Sequence, residues 1–231
     1  MIRKIKYKIV KTMYKAMVST VFLVQKIFKV THNYQPDPFS KNYKLCRDTN
    51  DRYNAILSNI DAYPESLIDF GCNKGFFVLK AAAEGSFSVG VDHDWFEIIW
   101  AKAVADKNNT NKALFMNAEI NLSFLNTMPS FDMVVCTSIF HHWVRIYGKE
   151  DAFNMMRSIA SKTNKYLVFE TGQYNETSTR WYDELDFMGD DYEKWIIDFL
   201  TEIGFNEIKV AGQFSTRLSE VKRTLFVAVK L

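Results

Sequence analysis

Leu67-Ile68-Asp69-Phe70-Gly71-Cys72-Asn73-Lys74-Gly75-Phe76-Phe77 decides how this chain is read. A short apolar run ends in a carboxylate, a glycine turn follows, and a second apolar run of helical character covers residues 76–83. The order predicts strand, tight loop, helix. Gly71 and Gly75 admit backbone angles that a side chain forbids and let a ligand approach the main chain. A helix starting near Gly75 points its free N–H groups back at the loop. Open α/β sheets bind nucleotide-like ligands at such a loop, beyond the carboxyl end of a strand. A dinucleotide loop reads G-x-G-x-x-G and seats a pyrophosphate. Here Asn73 takes the middle position and no third glycine follows. Asp69, two residues before Gly71, would repel a pyrophosphate and suits a ligand with a cationic amino group. The same residues also fit a plain strand-to-helix turn, because glycine loops are common.

A chain of 231 residues suits one α/β domain with additions, and it is long enough for a full core. Nineteen Phe and eleven Tyr argue against disorder. Cys46, Cys72 and Cys136 form no disulfide or zinc pattern, which predicts a reducing, cytoplasmic setting. His32, His93, His141 and His142 have no metal-ligand spacing either, so no metal is expected. Charge is divided unevenly. Eight basic residues precede Thr31, and the first acidic residue is Asp37. Removing those eight from the 29 basic residues leaves 21 against 27 acidic ones, so the body is near −6. An acidic body with a basic arm does not match a general nucleic-acid binder, and no specific nucleic acid is expected.

The arm, residues 1–32, predicts one basic amphipathic helix. Ile2, Ile5, Ile9, Met13, Met17, Val21, Val24 and Phe28 recur three or four apart, with Lys4, Lys8, Lys11 and Lys15 on the other side. Its apolar stretch is shorter than the roughly 20 residues that a membrane span needs. A signal peptide fits less well, since no small-residue cleavage site follows cleanly. Two readings stand side by side: a helix in which residues 1–30 lie on an anionic membrane, at its inner face, and a cap helix packed on the domain with solvated lysines. Residues 33–47, with Pro36 and Pro38, read as a linker.

From residue 48 onward helices and strands alternate. A helix over 48–62 precedes the first strand. The second strand, 87–91, is followed by Asp92-His93-Asp94, about 20 residues after the glycine loop, where a carboxylate can accept from two ribose hydroxyls. Asp94 reads as the N-cap of a helix over 95–105. The third strand, 113–116, leads into Asn117-Ala118. The fourth, 131–136, runs into Thr137 and a polar loop with His141-His142-Trp143. A helix over 150–162 and a fifth strand, 166–170, ending in Glu170, come next. Residues 174–189 form no clean element and are taken as an insertion over the substrate mouth. A helix over 190–203 and two alternating strands, 206–211 and 224–229, close the chain as an antiparallel pair.

The run Asp69-x-Gly71-x-x-x-Gly75 resembles the first motif of class I S-adenosylmethionine (SAM) dependent methyltransferases, usually D-x-G-x-G-x-G, with the middle glycine absent. The element order after residue 48 resembles that family as well. It implies an α/β fold: a Rossmann-like seven-stranded sheet with helices on both faces, here over residues 48–231. It implies SAM as cofactor, held by Asp69, Gly71, Cys72, Asn73, Gly75, Asp92, His93, Asn117, Ala118 and Thr137. Within the family, Ser138-Ile139-Phe140-His141-His142-Trp143-Val144-Arg145 with Tyr147-Gly148 is similar to the methyltransferase part of bacterial enzymes that terminate O-antigen chains. That loop implies a glycan, phosphorylated sugar, glycolipid or related small-molecule acceptor, with His141 or His142 as base and Arg145 and Glu170 on the acceptor side. An RNA methyltransferase and a non-catalytic SAM-fold binding protein are the alternatives. The first would want a basic groove with aromatic platforms, and the second would show lost glycine or ribose contacts.

Overall fold

The structure, a computed structural model, describes residues 48–216 and 219–230, the segment 35–39, and residues 5–6, 8–14, 16, 19–20 and 23 of the arm. Those arm residues are helical, and Ile5, Ile9, Val10, Met13 and Leu23 are exposed. The rest of the predicted arm helix, including Lys4, Lys15 and residues 24–30, lies outside the described residues, as do 40–47 of the linker. No described helix is long and apolar enough to cross a membrane.

Seven strands form one sheet: β1 (Ser66–Phe70), β2 (Phe87–Asp92), β3 (Ala113–Asn117), β4 (Phe131–Thr137), β5 (Thr163–Glu170), β6 (Glu207–Phe214) and β7 (Arg223–Val229). Their order is β3-β2-β1-β4-β5-β7-β6. β1 to β5 run parallel, and β7 enters antiparallel between β5 and β6. Beyond the arm, the described residues form seven helices: α1 (Thr49–Ser58), α2 (Phe76–Ala83), α3 (Trp95–Lys107), α4 (Leu122–Thr127), α5 (Phe140–Tyr147), α6 (Lys149–Lys162) and α7 (Tyr192–Glu202). A 3-10 turn covers Tyr182–Met188 inside the segment read as an insertion.

The parallel strands are apolar on both faces, as a sheet covered on both sides requires. Alternate residues serve opposite cores. Met133 and Val135 pack with Tyr53, Phe77 and Ile98 of α1, α2 and α3, whereas Val134 and Cys136 pack with Phe140, Met156 and Phe199 of α5, α6 and α7. The expected helices on both faces and the antiparallel closing pair are present. α4 is additional, and residues 140–147 are helix where the sequence reads as polar loop. Asp94 caps α3 as expected, its carboxylate accepting from the N–H groups of Phe96 and Glu97. Asp191 caps α7.

Candidate active site

β1, β2 and β4 end side by side, with Phe70 beside Val91 and Cys136 in register. The glycine loop leaves β1 there. Gly71, Asn73 and Gly75 all have positive φ, of 73°, 49° and 73°. The loop therefore alternates left-handed residues. Asn stands where the family pattern has glycine because Asn tolerates that conformation better than most side chains. The outer glycines also have steric reasons. A Cβ on Gly75 would lie 2.3 Å from the Phe115 ring, and one on Gly71 would lie 2.9 Å from Ile139 Cδ1. The second contact seats the start of α5, which carries the histidine pair, directly against the glycine loop.

Asp92 ties this loop to β2. Its Oδ2 accepts from the Asn73 N–H at 2.8 Å, its Oδ1 accepts from the Asp94 N–H at 2.9 Å, and His93 Nδ1 lies 3.4 Å from Oδ1. Asn117 clamps the same corner: its Nδ2 donates to the carbonyls of Asp92 and His93, which turns Oδ1 away from them. The Ala118 N–H also donates to the Asp92 carbonyl. Asp69 is buried at the end of β1, and Thr137 is buried at the end of β4. Cys72 departs from its expected place. Its thiol is fully buried in the core, where burial pushes its pKa well up, so only its backbone belongs to the loop.

These residues fit SAM. Gly71 and Gly75 form a cradle that a Cβ would fill, and buried Asn73 Oδ1 has no hydrogen-bond partner. Buried Asp69 suits a cationic amino group, and Asp92 keeps further lone pairs for hydroxyls. SAM supplies a methyl group carried on a sulfonium.

The histidine pair divides. His141 is 1% exposed, and its Nδ1 accepts from the Gly172 N–H at 2.9 Å, with Thr171 Oγ1 at 3.3 Å. It is a structural clamp between α5 and the end of β5, not an accessible base. Trp181 from the insertion packs on it, ring centroids 4.5 Å apart, and Gly172 lacks a Cβ because one would meet Trp181 Nε1 at 2.6 Å. His142, in the first turn of α5, is exposed. Partial desolvation lowers its pKa from the ordinary 6.5, and the charges of Arg223, Arg145 and His93 push the same way. These effects favour its neutral form, the one that accepts a proton. Arg145 is 43% exposed, with Glu184 3.6 Å away.

Glu170 also departs from expectation. It is fully buried, receives Arg52 Nε at 2.7 Å, and accepts from the Ser138 hydroxyl at 2.8 Å. Arg223 binds both oxygens of buried Glu176, and its Nη1 reaches Ser138 Oγ at 3.1 Å. Glu170 therefore belongs to a buried charge network beneath the mouth, not to an acceptor surface. Ser138 joins the two ion pairs from a left-handed φ of 60°, a conformation that costs about 1–3 kcal/mol. Residues outside the motifs complete the corner. Gln35, 5% exposed, accepts from the Phe76 N–H at 3.2 Å, so this part of the linker folds onto the start of α2. No sequence signal marks Gln35, Arg52 or Arg223, because their partners lie 41, 118 and 47 residues away. Among the described residues no group of three His, Cys, Asp or Glu gathers to hold a metal.

Comparison with known proteins points the same way. Residues 68–163 match the methyltransferase domain family. The O-antigen chain terminator bifunctional methyltransferase/kinase WbdD of Escherichia coli is 25% identical over 189 residues, covering 78% of this chain and 25% of that protein. The chain thus spans about a quarter of the length of its curated relative. A crystal structure of WbdD superposes with a TM-score of 0.70 at 22% identity, over 91% of this chain and 46% of that one. Magnesium protoporphyrin IX methyltransferase from Synechocystis PCC 6803, solved with bound SAM, superposes with a TM-score of 0.59 at 18% identity, over 91% and 97%. Sheet, glycine loop and domain match together support a SAM-dependent methyltransferase fold loosely similar to the methyltransferase part of WbdD.

Proposed function

We propose that this chain transfers the SAM methyl group to an oxygen of a sugar, phospho-sugar or glycolipid-type acceptor, at the inner face of a membrane. The observation that carries this reading is the position of His142. It is exposed, in the first turn of a helix whose start abuts the glycine loop, and its surroundings favour the neutral form. Methyl transfer is an in-line displacement, so the protein chiefly aligns the acceptor oxygen. For a hydroxyl acceptor, His142 takes its proton, a contribution of about 100- to 10,000-fold. Similarity to an O-antigen chain terminator supports the sugar-related class, and the exposed apolar side chains of the basic arm support the membrane setting.

A second acceptor form is favoured by one observation, the half-exposed Arg145 beside the mouth. An acceptor that is already anionic needs no base and is oriented by a guanidinium fork. The test is to incubate the protein with labelled SAM and separate lipid-glycan, membrane and RNA fractions. Label in the glycan or lipid-glycan fraction is expected, label in RNA overturns the proposed class, and no label with intact SAM binding favours a binding protein.

A further inference from the structure

The edge of the sheet at β3 is apolar and, among the described residues, only partly covered. Phe87, Leu114 and Met116 are 46%, 51% and 42% exposed, although β-strand side chains of this size normally pack under a helix. The six-residue α4 is too short to cover them. They line a groove of about 640 Å³ that continues onto α3 at Lys102 and Asp106. Tyr14 of the arm lines the same groove, where burial and the neighbouring Asp106 carboxylate raise the pKa of its phenol. Arm and edge are therefore neighbours. On the arm, Ile5, Ile9 and Met13 are all more than half exposed, so seating Tyr14 leaves this part of the apolar stripe uncovered.

The outer stripe of α3 extends this surface. Trp95, Lys102 and Asp106 are spaced seven and four apart, which places them on one helical face. Trp95 is 50% exposed at the end nearest Asp92, and Phe96 beside it is 57% exposed. Exposed apolar groups thus lie on the arm, on the edge and, at the start of α3, beside the corner of the candidate active site. Lys6, Lys8 and Lys11 on the arm and Lys102, Lys107 and Lys112 by the edge are exposed around them, outnumbering the exposed Asp94 and Asp106 of the same surface. Large apolar side chains set among lysines, with an aromatic residue at the margin, match the chemistry of an anionic bilayer surface. The interior of an obligate protein interface is instead depleted of charge.

We propose that the β3 edge, together with the arm and Trp95, is one docking face for an anionic lipid bilayer, and that it turns the active-site mouth toward the membrane. This deepens the membrane setting proposed above and rests on it. The β3 edge, not the arm alone, inserts between headgroups.

The test uses the full chain with vesicles of phosphatidylcholine, alone or mixed with phosphatidylglycerol. Wild type is expected to sediment with the mixed vesicles, and brominated lipid is expected to quench its fluorescence, a quenching much reduced in Trp95→Phe. Leu114→Glu with Met116→Glu is expected to weaken partitioning roughly tenfold or more, with SAM affinity retained as the control for folding. Single Leu114→Gln and Met116→Gln variants provide the readout if the double variant does not fold. Equal sedimentation of wild type and edge variants overturns the docking face but leaves the arm's membrane contact standing. Absence of sedimentation by wild type overturns both. Self-association of wild type that the edge variants abolish, without vesicle binding, makes the edge a contact between copies and likewise overturns the proposal.

Discussion

Asp92→Asn tests the cofactor assignment most sharply, because the substitution keeps size and removes charge. In the structure each Asp92 oxygen already accepts one backbone N–H, from Asn73 and from Asp94. A second lone-pair direction on each oxygen remains for the two ribose hydroxyls. An amide has one acceptor oxygen only. Its NH2 faces either a loop N–H or a hydroxyl, so at least one charge-assisted bond is lost. Such a bond is worth about 1.5–3 kcal/mol, which converts to SAM affinity weakened about ten- to 150-fold at 1.4 kcal/mol per decade. Asp92→Ala loses both bonds and also frees the loop at Asn73, so its loss should exceed that of Asp92→Asn. Titration calorimetry with SAM reads the affinity, and a melting curve on the same sample reports whether the domain stays folded. If Asp92→Asn binds SAM within about twofold of wild type and melts normally, the carboxylate does not hold the ribose.

His142→Ala should lower turnover while SAM affinity stays near normal, and wild-type rate should rise with pH through a midpoint below 6.5, because the folded protein lowers this pKa. A rate independent of pH, with normal turnover in the variant, removes the histidine from catalysis. Arg145→Ala should raise acceptor KM with little change in kcat if the acceptor is anionic, and steady-state kinetics over acceptor concentration would expose the opposite pattern. His141→Ala leaves the buried Gly172 N–H without its acceptor, so denaturant unfolding should show a loss of about 1–3 kcal/mol. Arg52→Met strands the Glu170 carboxylate in the interior and should cost about 3–5 kcal/mol. Joint replacement, Arg52→Met with Glu170→Gln, should recover part of that loss, and a purely additive double variant would contradict a coupled buried pair.

Local chemistry made much of this protein legible in its sequence. A strand covered on both faces must be a run of apolar residues, so β1, β4 and the start of α2 stand out by composition. Left-handed backbone wants Gly or Asn, so the loop from Gly71 to Gly75 announces itself, and Asp94 is recognisable as a cap because a cap bonds N–H groups only two or three residues ahead. The chemistry of the histidine pair was less legible. His141 and His142 are adjacent and identical in type, yet a helix turns them about 100° apart, and only the packing of α5 decides that one is clamped to Gly172 while the other meets solvent. Glu170 reads as an acceptor-side acid until Arg52, 118 residues earlier, arrives beside it. The strand order, with β7 inserted between β5 and β6, is likewise invisible to periodicity, because alternation says which face a residue takes and not which strand lies next to it. Sequence alone determined most of the elements and the glycine loop, since each depends on residues close in the chain. Tertiary structure alone decided which charges are buried as pairs, that Gln35 closes on α2 and that Leu114 and Met116 of β3 stay exposed, since those outcomes depend on segments brought together only when the chain is folded.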